Sequence, residues 1–148
     1  MRILVDADAC PKVIKEIIFK AAHKRQIRTM FVSNHPIPLA SSPFIQGRVV
    51  SKGFDVADNF IVKALDKGDL VITGDIPLAA EVIGEGGHAL NPRGEMFDKD
   101  TIAQRLTMRD VSEQLRDSGQ VLKGQAPLSN KHKQAFANNL DRFLAQHS

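Results

Sequence analysis

One cysteine, Cys10, stands among 148 residues, and there is no tryptophan and no tyrosine. A single thiol excludes an internal disulfide framework and a cysteine-based zinc site. Without Trp or Tyr, an aromatic platform for stacking bases has to come from phenylalanine, which counts against a dedicated single-strand-binding module. Long hydrophobic runs are missing as well. Every apolar stretch is short and interrupted by charge, which excludes a transmembrane helix. The segment Met1-Arg2-Ile3-Leu4-Val5-Asp6 has no signal-peptide core or cleavage site. The expectation is a cytoplasmic protein, with room in this length for one domain and one sizeable core.

Charge of one sign is also scarce overall, since the net is only +3. Its distribution is more informative. Residues 1–100 carry 13 basic and 13 acidic side chains, whereas residues 101–148 carry 7 and 4. Within the neutral part, Lys12, Lys15, Lys20, Lys24, Arg25 and Arg28 face Glu16 alone over residues 12–28. Such a local surplus can attract a polyanion, or it can be the solvated face of a helix.

The chain alternates strand and helix signals. Arg2–Asp6 reads as a buried strand ending in acid. Ala9-Cys10-Pro11 opens a helix, with proline early where its missing N–H matters little. Val13, Ile14, Ile17, Ile18, Ala21 and Ala22 carry helical spacing to about His23. Arg28–Ser33 is a second strand, and 34–46, with three prolines, an irregular loop. Arg48–Val50 is a third, short strand. A helix follows through Phe60, Ile61, Ala64 and Leu65, ended by Gly68 as a C′ residue. Asp69–Thr73 is a fourth strand, Pro77–Ile83 a helix and His88–Leu90 a fifth strand. Thr101 with Gln104 makes a capping-box start for a helix using Ile102, Leu106, Val111 and Leu115. Residues 118–130 read as a linker, and Phe136, Leu140, Phe143 and Leu144 mark a final amphipathic helix at about 131–147. The expected architecture is one α/β domain with a core over about 1–117. It is a three-layer sandwich, a mostly parallel sheet of about five strands with helices on both faces.

Ligands of such sheets sit beyond the carboxyl ends of the strands. Asp6 ends strand one, Asp8 follows two residues on, and Asp75 follows strand four behind Thr73-Gly74. Asp55 and Asp58 begin the helix before strand four. If strands one and four are neighbours, all five approach one crevice. Carboxylates so concentrated repel one another, and a hard divalent cation, Mg²⁺ or Mn²⁺, is the usual stabiliser of an oxygen-only cluster. Each acid also has a structural reading. Asp55 and Asp58 suit N-cap and first-turn positions, Asp75 can cap the Pro77 helix and Asp8 the Pro11 helix. Asp6 has no local helix to cap.

Other groups give less. Cys10 at a helix start could have a lowered thiol pKa, but no histidine is near in sequence, and a small packed residue is the better reading. His23, His35, His88, His132 and His147 show no metal-ligand spacing and read as surface or capping residues. Arg93, in Asn91-Pro92-Arg93-Gly94 after strand five, can hold a phosphate or only a rim carboxylate. Gly84, Gly86 and Gly87 precede a strand and form no phosphate loop.

The run Val5-Asp6-Ala7-Asp8-Ala9-Cys10-Pro11, with Lys52-Gly53-Phe54-Asp55-Val56-Ala57-Asp58, Gly68–Ala80 and Asn91-Pro92-Arg93-Gly94, resembles the YaiI/YqxD family, a bacterial family of unassigned function. The resemblance spans nearly the whole chain. More widely, the order of motifs is similar to PIN and NYN nuclease domains. Those place an Asp at the end of strand one, as Asp6; an Asp behind Lys-Gly, as Asp55; and Ser/Thr-Gly-Asp after the central strand, as Thr73-Gly74-Asp75. NYN domains usually have a further Asp where this chain has Pro77, and a last PIN acid has no clear counterpart beyond Asp98 or Asp100. The resemblance implies metal binding by Asp6, Asp55, Asp58 and Asp75, with Asp8 in the catalytic set and Thr73 in support. It implies phosphodiester hydrolysis by a metal-bound water, on RNA before DNA, with Lys12, Lys15 and Arg93 holding the backbone.

Two rivals accompany this reading. A haloacid dehalogenase-like phosphatase also begins strand-Asp-x-Asp, with Asp6 as nucleophile and Asp8 as acid/base. Such enzymes want Thr or Val where this chain has Cys10. A catalytically silent RNA-binding or adaptor domain would keep the fold and act through its basic surfaces. The C-terminal helices offer a route to a homo-oligomer.

Overall fold

Ile3-Leu4-Val5 and Leu70-Val71-Ile72 present apolar side chains to both sides of the pleat, so each run has to be covered on both faces. The computed structural model describes residues 1–53, 55–117 and 128–147, the side chains of 109–117 excepted. It meets that demand with a sheet between two helical layers. The strands are β1 (Ile3–Asp6), β2 (Thr29–Ser33), β3 (Ile45–Val49), β4 (Leu70–Ile72), β5 (His88–Leu90) and β6 (Met96–Phe97). The helices are α1 (Lys12–Arg25), α2 (Val56–Ala64), α3 (Ile76–Gly84), α4 (Lys99–Asp117) and α5 (Asn130–His147). The strand order is β3-β2-β1-β4-β5-β6, parallel except for β6.

Strand parity sorts the core into its two layers. Ile3, Val5, Phe31, Ile72 and Leu90 pack with Ile14 and Ile18 of α1 and with Phe136, Leu140 and Leu144 of α5. Leu4, Val32, Val71 and Ala89 pack with Ile61 of α2, with Leu78 and Val82 of α3, and with Ile102 of α4. Burying each such Leu or Ile contributes about 1.5–3 kcal/mol relative to exposure, and slipping a strand by one residue would exchange the two layers. The apolar face of α5 is therefore spent on its own chain.

The chain moves outward from β1 through β2 to β3 and then returns to place β4 on the other side of β1. Connections leave β1 and β4 in opposite directions, so the carboxyl ends of these two strands flank the topological switch point, where such sheets bind ligands.

The structure corrects several local expectations. Six strands are present where about five are expected; β6 is a two-residue antiparallel addition. β3 begins at Ile45, three residues before Arg48, and shortens the proline-rich loop. A 3₁₀ turn over Ala7–Ala9 precedes α1, whose N-cap is Pro11. α2 ends at Ala64, and Gly68, with φ +92°, instead sits in the turn that closes by an Asp69 N–H to Asp66 carbonyl bond. The capping box of α4 lies one turn earlier than Thr101–Gln104. The Asp98 N–H donates to Thr101 Oγ1 at 2.7 Å and the Thr101 N–H to Asp98 Oδ1 at 2.8 Å. Of the expected linker, 118–127 lies outside the described residues, and Asn130 already belongs to α5. The expected contacts of Val111 and Leu115 fall outside the described side chains.

Candidate functional site

Asp6 is the last residue of β1 and is buried, at 7% exposure; contrary to expectation it stands at the N-cap position of the Ala7–Ala9 turn, but its side chain makes no cap bond there. Its Oδ2 accepts a hydrogen bond from Thr73 Oγ1 at 2.9 Å, and the same Thr73 oxygen accepts the Asp75 N–H at 3.0 Å. Thr73 thus holds the ends of β1 and β4 together and shapes the turn that carries Asp75. Asp75 is the N-cap of α3, where its Oδ1 accepts the Leu78 N–H at 3.0 Å. Capping fixes the carboxylate through one oxygen only, so the structural and the functional readings of Asp75 coexist.

Asp58 enters from the first turn of α2. There it neighbours the carboxylate of Asp75. Burial, followed by the charges of Asp75, Asp6 and Asp55, pushes Asp58 up to about 6. Asp6 is raised too, by burial first, against the lowering bond from Thr73, with the charges of Asp75 and Asp8 adding to the rise. Asp55 occupies the N-cap position of α2 in a left-handed conformation, φ +60°, and makes no side-chain cap bond. Asp6, Asp58 and Asp75 thus bear on one another, with Asp55 acting on Asp58 and Asp8 on Asp6 through their charge.

Asp8 does not cap α1. Its Oδ2 accepts the Asn34 N–H at 2.9 Å, and its Oδ1 stands 3.2 Å from His35 Nδ1. A carboxylate accepts only, so Nδ1 carries the proton and Nε2 is left as the outward nitrogen. Sequence spacing gave no sign of this pair, because it depends on β2 lying beside β1. Cys10 is buried, and burial pushes its thiol up to about 12 despite the opposing charge of Lys15. It is a packing residue.

Lys12 and Lys15 lie at the start of α1, on the same edge of the sheet as the acids; that helix has no acid in its first turn and no side-chain cap. Arg93 is carried by the turn after β5. Asn91 Oδ1 accepts the N–H groups of Arg93 and Glu95, and a terminal nitrogen of Arg93 is 3.3 Å from His132 Nδ1. His132 in turn closes a capping box with Ser129 at the start of α5. Arg105 of α4 reaches the same turn, where its Nε and one terminal nitrogen pair with Glu95. Neither Arg105 nor His132 was legible as a site residue, because they converge on Arg93 only through the packing of α4 and α5.

Among the described residues, no three Asp, Glu, His or Cys side chains stand close enough to hold one metal ion as they lie. The donor chemistry itself fits a hard divalent cation. It is oxygen-only, and the mutual repulsion of the acids shows in the upward shift of Asp58. Mg²⁺ keeps several waters and takes one or two carboxylates directly, so Asp58 and Asp75 are the pair that would hold it, with Asp6 beside them.

The family model "Uncharacterized BCR, YaiI/YqxD family" matches residues 4–146. The chain belongs to this family. A UPF0178 protein of Shewanella amazonensis is 57% identical over 146 residues, covering 99% of this chain and 98% of that one. One of Syntrophotalea carbinolica is 56% identical over 147 residues, covering 99% of each. Among solved structures, a mutant of Rae1 (YacP) from Bacillus subtilis covers all of both chains at 17% identity and a TM-score of 0.47. No helix among the described residues is long and apolar enough to cross a membrane.

Proposed function

We propose that this family member is a divalent-metal-dependent phosphodiesterase acting on RNA, with its reaction centre at Asp6, Asp58 and Asp75. The observation that carries the reading is the crowding of Asp58 and Asp75 with buried Asp6 at the switch point of the sheet, where each acid bears on the others through its charge. Carboxyls crowded at a ligand-binding edge lose stability for the fold unless a cation or a proton-transfer role uses them. Mg²⁺ or Mn²⁺ there would stabilise phosphate charge and lower the pKa of a water. Asp58 and Asp75 are the residues that would hold it. Thr73 fixes the Asp6 carboxylate toward the same point.

The surroundings suit a polyanion. Lys12 and Lys15 add charge to the positive end of α1, an arrangement that the helix dipole disfavours. A phosphate backbone passing this edge would neutralise both. Arg93 shares a cavity with Pro11 at the start of α1 and would contact the same strand.

The test is calorimetric titration with Mn²⁺, alongside cleavage of labelled RNA with Mn²⁺ and with EDTA. Wild type should bind saturably and cleave only with metal, and Asp58→Asn/Asp75→Asn should do neither. Salt-sensitive RNA binding with no metal-dependent turnover would sink the hydrolase reading in favour of the silent binding domain. Turnover of small phosphomonoesters with a phosphorylated Asp6 would replace it with the phosphatase.

A further inference from the structure

A cavity of about 650 Å³ opens beside the acidic edge, reached through Gly74 and Ile76, the two neighbours of Asp75. Arg93, Arg105, His132 and Met108 also line it. The cavity thus borders the turn that carries Asp75 and is lined by both cationic and apolar side chains, with Glu95 paired to Arg105.

Two features show it is built rather than incidental. The first is Arg105. Glu95 takes its Nε and one terminal nitrogen, which fixes the plane of the guanidinium. The other terminal nitrogen makes no hydrogen bond or ion pair among the described residues, so a held donor remains for a phosphate oxygen. The turn that brings Glu95 and Arg93 to this position is itself pinned. A Cβ at Gly94, φ +93°, would come within 2.6 Å of the α5 backbone at Ala135 and Phe136, and Asn139 Nδ2 donates to the Gly94 carbonyl. The second is Met108. It is 65% exposed, more than any other large apolar side chain among the described residues. An exposed thioether facing a polar cavity is wasted on folding, yet it suits contact with an aromatic ring.

We propose that this cavity seats one unpaired nucleotide of a single-stranded nucleic acid, its base against Met108 and Ile76 and its phosphate on Arg105. The inference rests on the phosphodiesterase reading, since the seated nucleotide would flank the phosphate held at Asp75. The volume lies within the ~300–1,000 Å³ of small-molecule sites, enough for a nucleotide. A base in a duplex is stacked and paired and would have to be extruded to enter, so the seat selects single strands.

The experiment is fluorescence anisotropy with a labelled RNA of about ten nucleotides, alone and annealed to its complement, in EDTA so that nothing is cleaved. Wild type should bind the single strand about tenfold more tightly than the duplex, and Arg105→Ala and Met108→Glu should each erase about that factor. Met108 is exposed, so its variant should keep the wild-type circular dichroism and melting temperature. Equal affinity for duplex and single strand, or cavity variants that bind like wild type, would overturn the inference. So would AMP binding as tightly as the strand, which would assign the cavity to a free nucleotide. Cleavage with Mn²⁺ and strand affinity in EDTA together separate the two readings. If no preparation cleaves RNA yet the cavity variants lose single-strand affinity, the hydrolase reading fails and the nucleotide seat stands. Metal-dependent cleavage with cavity variants binding normally gives the reverse.

Discussion

Thr73 donates its hydroxyl to Asp6 Oδ2 at 2.9 Å, joining the carboxyl ends of two neighbouring strands inside the core. Because the Thr73 oxygen also accepts the Asp75 N–H, one side chain sets two acids. Thr73→Val keeps the shape and removes both bonds, leaving a buried carboxylate short of a donor. The expected loss is about 1–3 kcal/mol in urea denaturation near pH 7. Since the bond favours the charged form of Asp6, the loss should shrink near pH 4. Thr73→Ser should recover most of it.

A second buried carboxylate holds the opposite end of the sheet. Asp69 accepts the N–H groups of Arg2 and Asp66, each at 2.9 Å, and pairs with the Arg2 guanidinium at 3.2 Å. Its side chain is 3% exposed, so Asp69→Ala would strand Arg2 and two N–H groups. A loss of about 3–5 kcal/mol is expected in the same assay. Mn²⁺ affinity of the folded variant should not change, because this cluster lies at the amino ends of β1 and β4.

What was legible in the sequence is what local signals encode. An apolar run ending in Asp6 and a Thr-Gly-Asp turn after β4 both mark strand ends without knowledge of the partner strands. The adjacency of β1 and β4, which makes Asp6 and Asp75 one site, was a condition that only the sheet order could meet. β3 was misplaced because only Ile45 of its five residues is buried, so this edge strand carries no alternating pattern to read. β6 is two residues long and has no period at all. Asp58 was visible as a helix-start acid, but its closeness to Asp75 arises from α2 packing near α3. Arg105, His132 and His35 were invisible as site residues because each meets its partner across elements that are distant in sequence or joined by a loop.

Cys10 should be chemically silent in the folded protein. At 6% exposure, and with its thiol pushed up to about 12, it offers almost no thiolate near neutral pH. Ellman's reagent should label it slowly at pH 8 and at once after unfolding in urea. Cys10→Ala should keep Mn²⁺ binding and RNA cleavage. Rapid native labelling would mean that the start of α1 opens far more readily than its packing implies.

Asp58 gives the fold a pH dependence of unusual sign. Its folded value of about 6 exceeds the ordinary 3.8, so between these values the native state holds more protons than the unfolded chain. Stability from this group is then complete below about pH 4 and declines as pH rises toward 6. Asp58→Asn removes the decline. It should raise stability near pH 8 by about 1 kcal/mol, once solvent screening of this half-buried group is allowed for, and by little near pH 4. Melting curves of both proteins at the two pH values would show the difference. A gain of the same size at both would place the effect in packing rather than charge. Mn²⁺ should raise the wild-type melting temperature near pH 8, because a cation relieves the repulsion that the substitution abolishes. The same addition should do much less for Asp58→Asn, which has already lost the charge that the cation would neutralise.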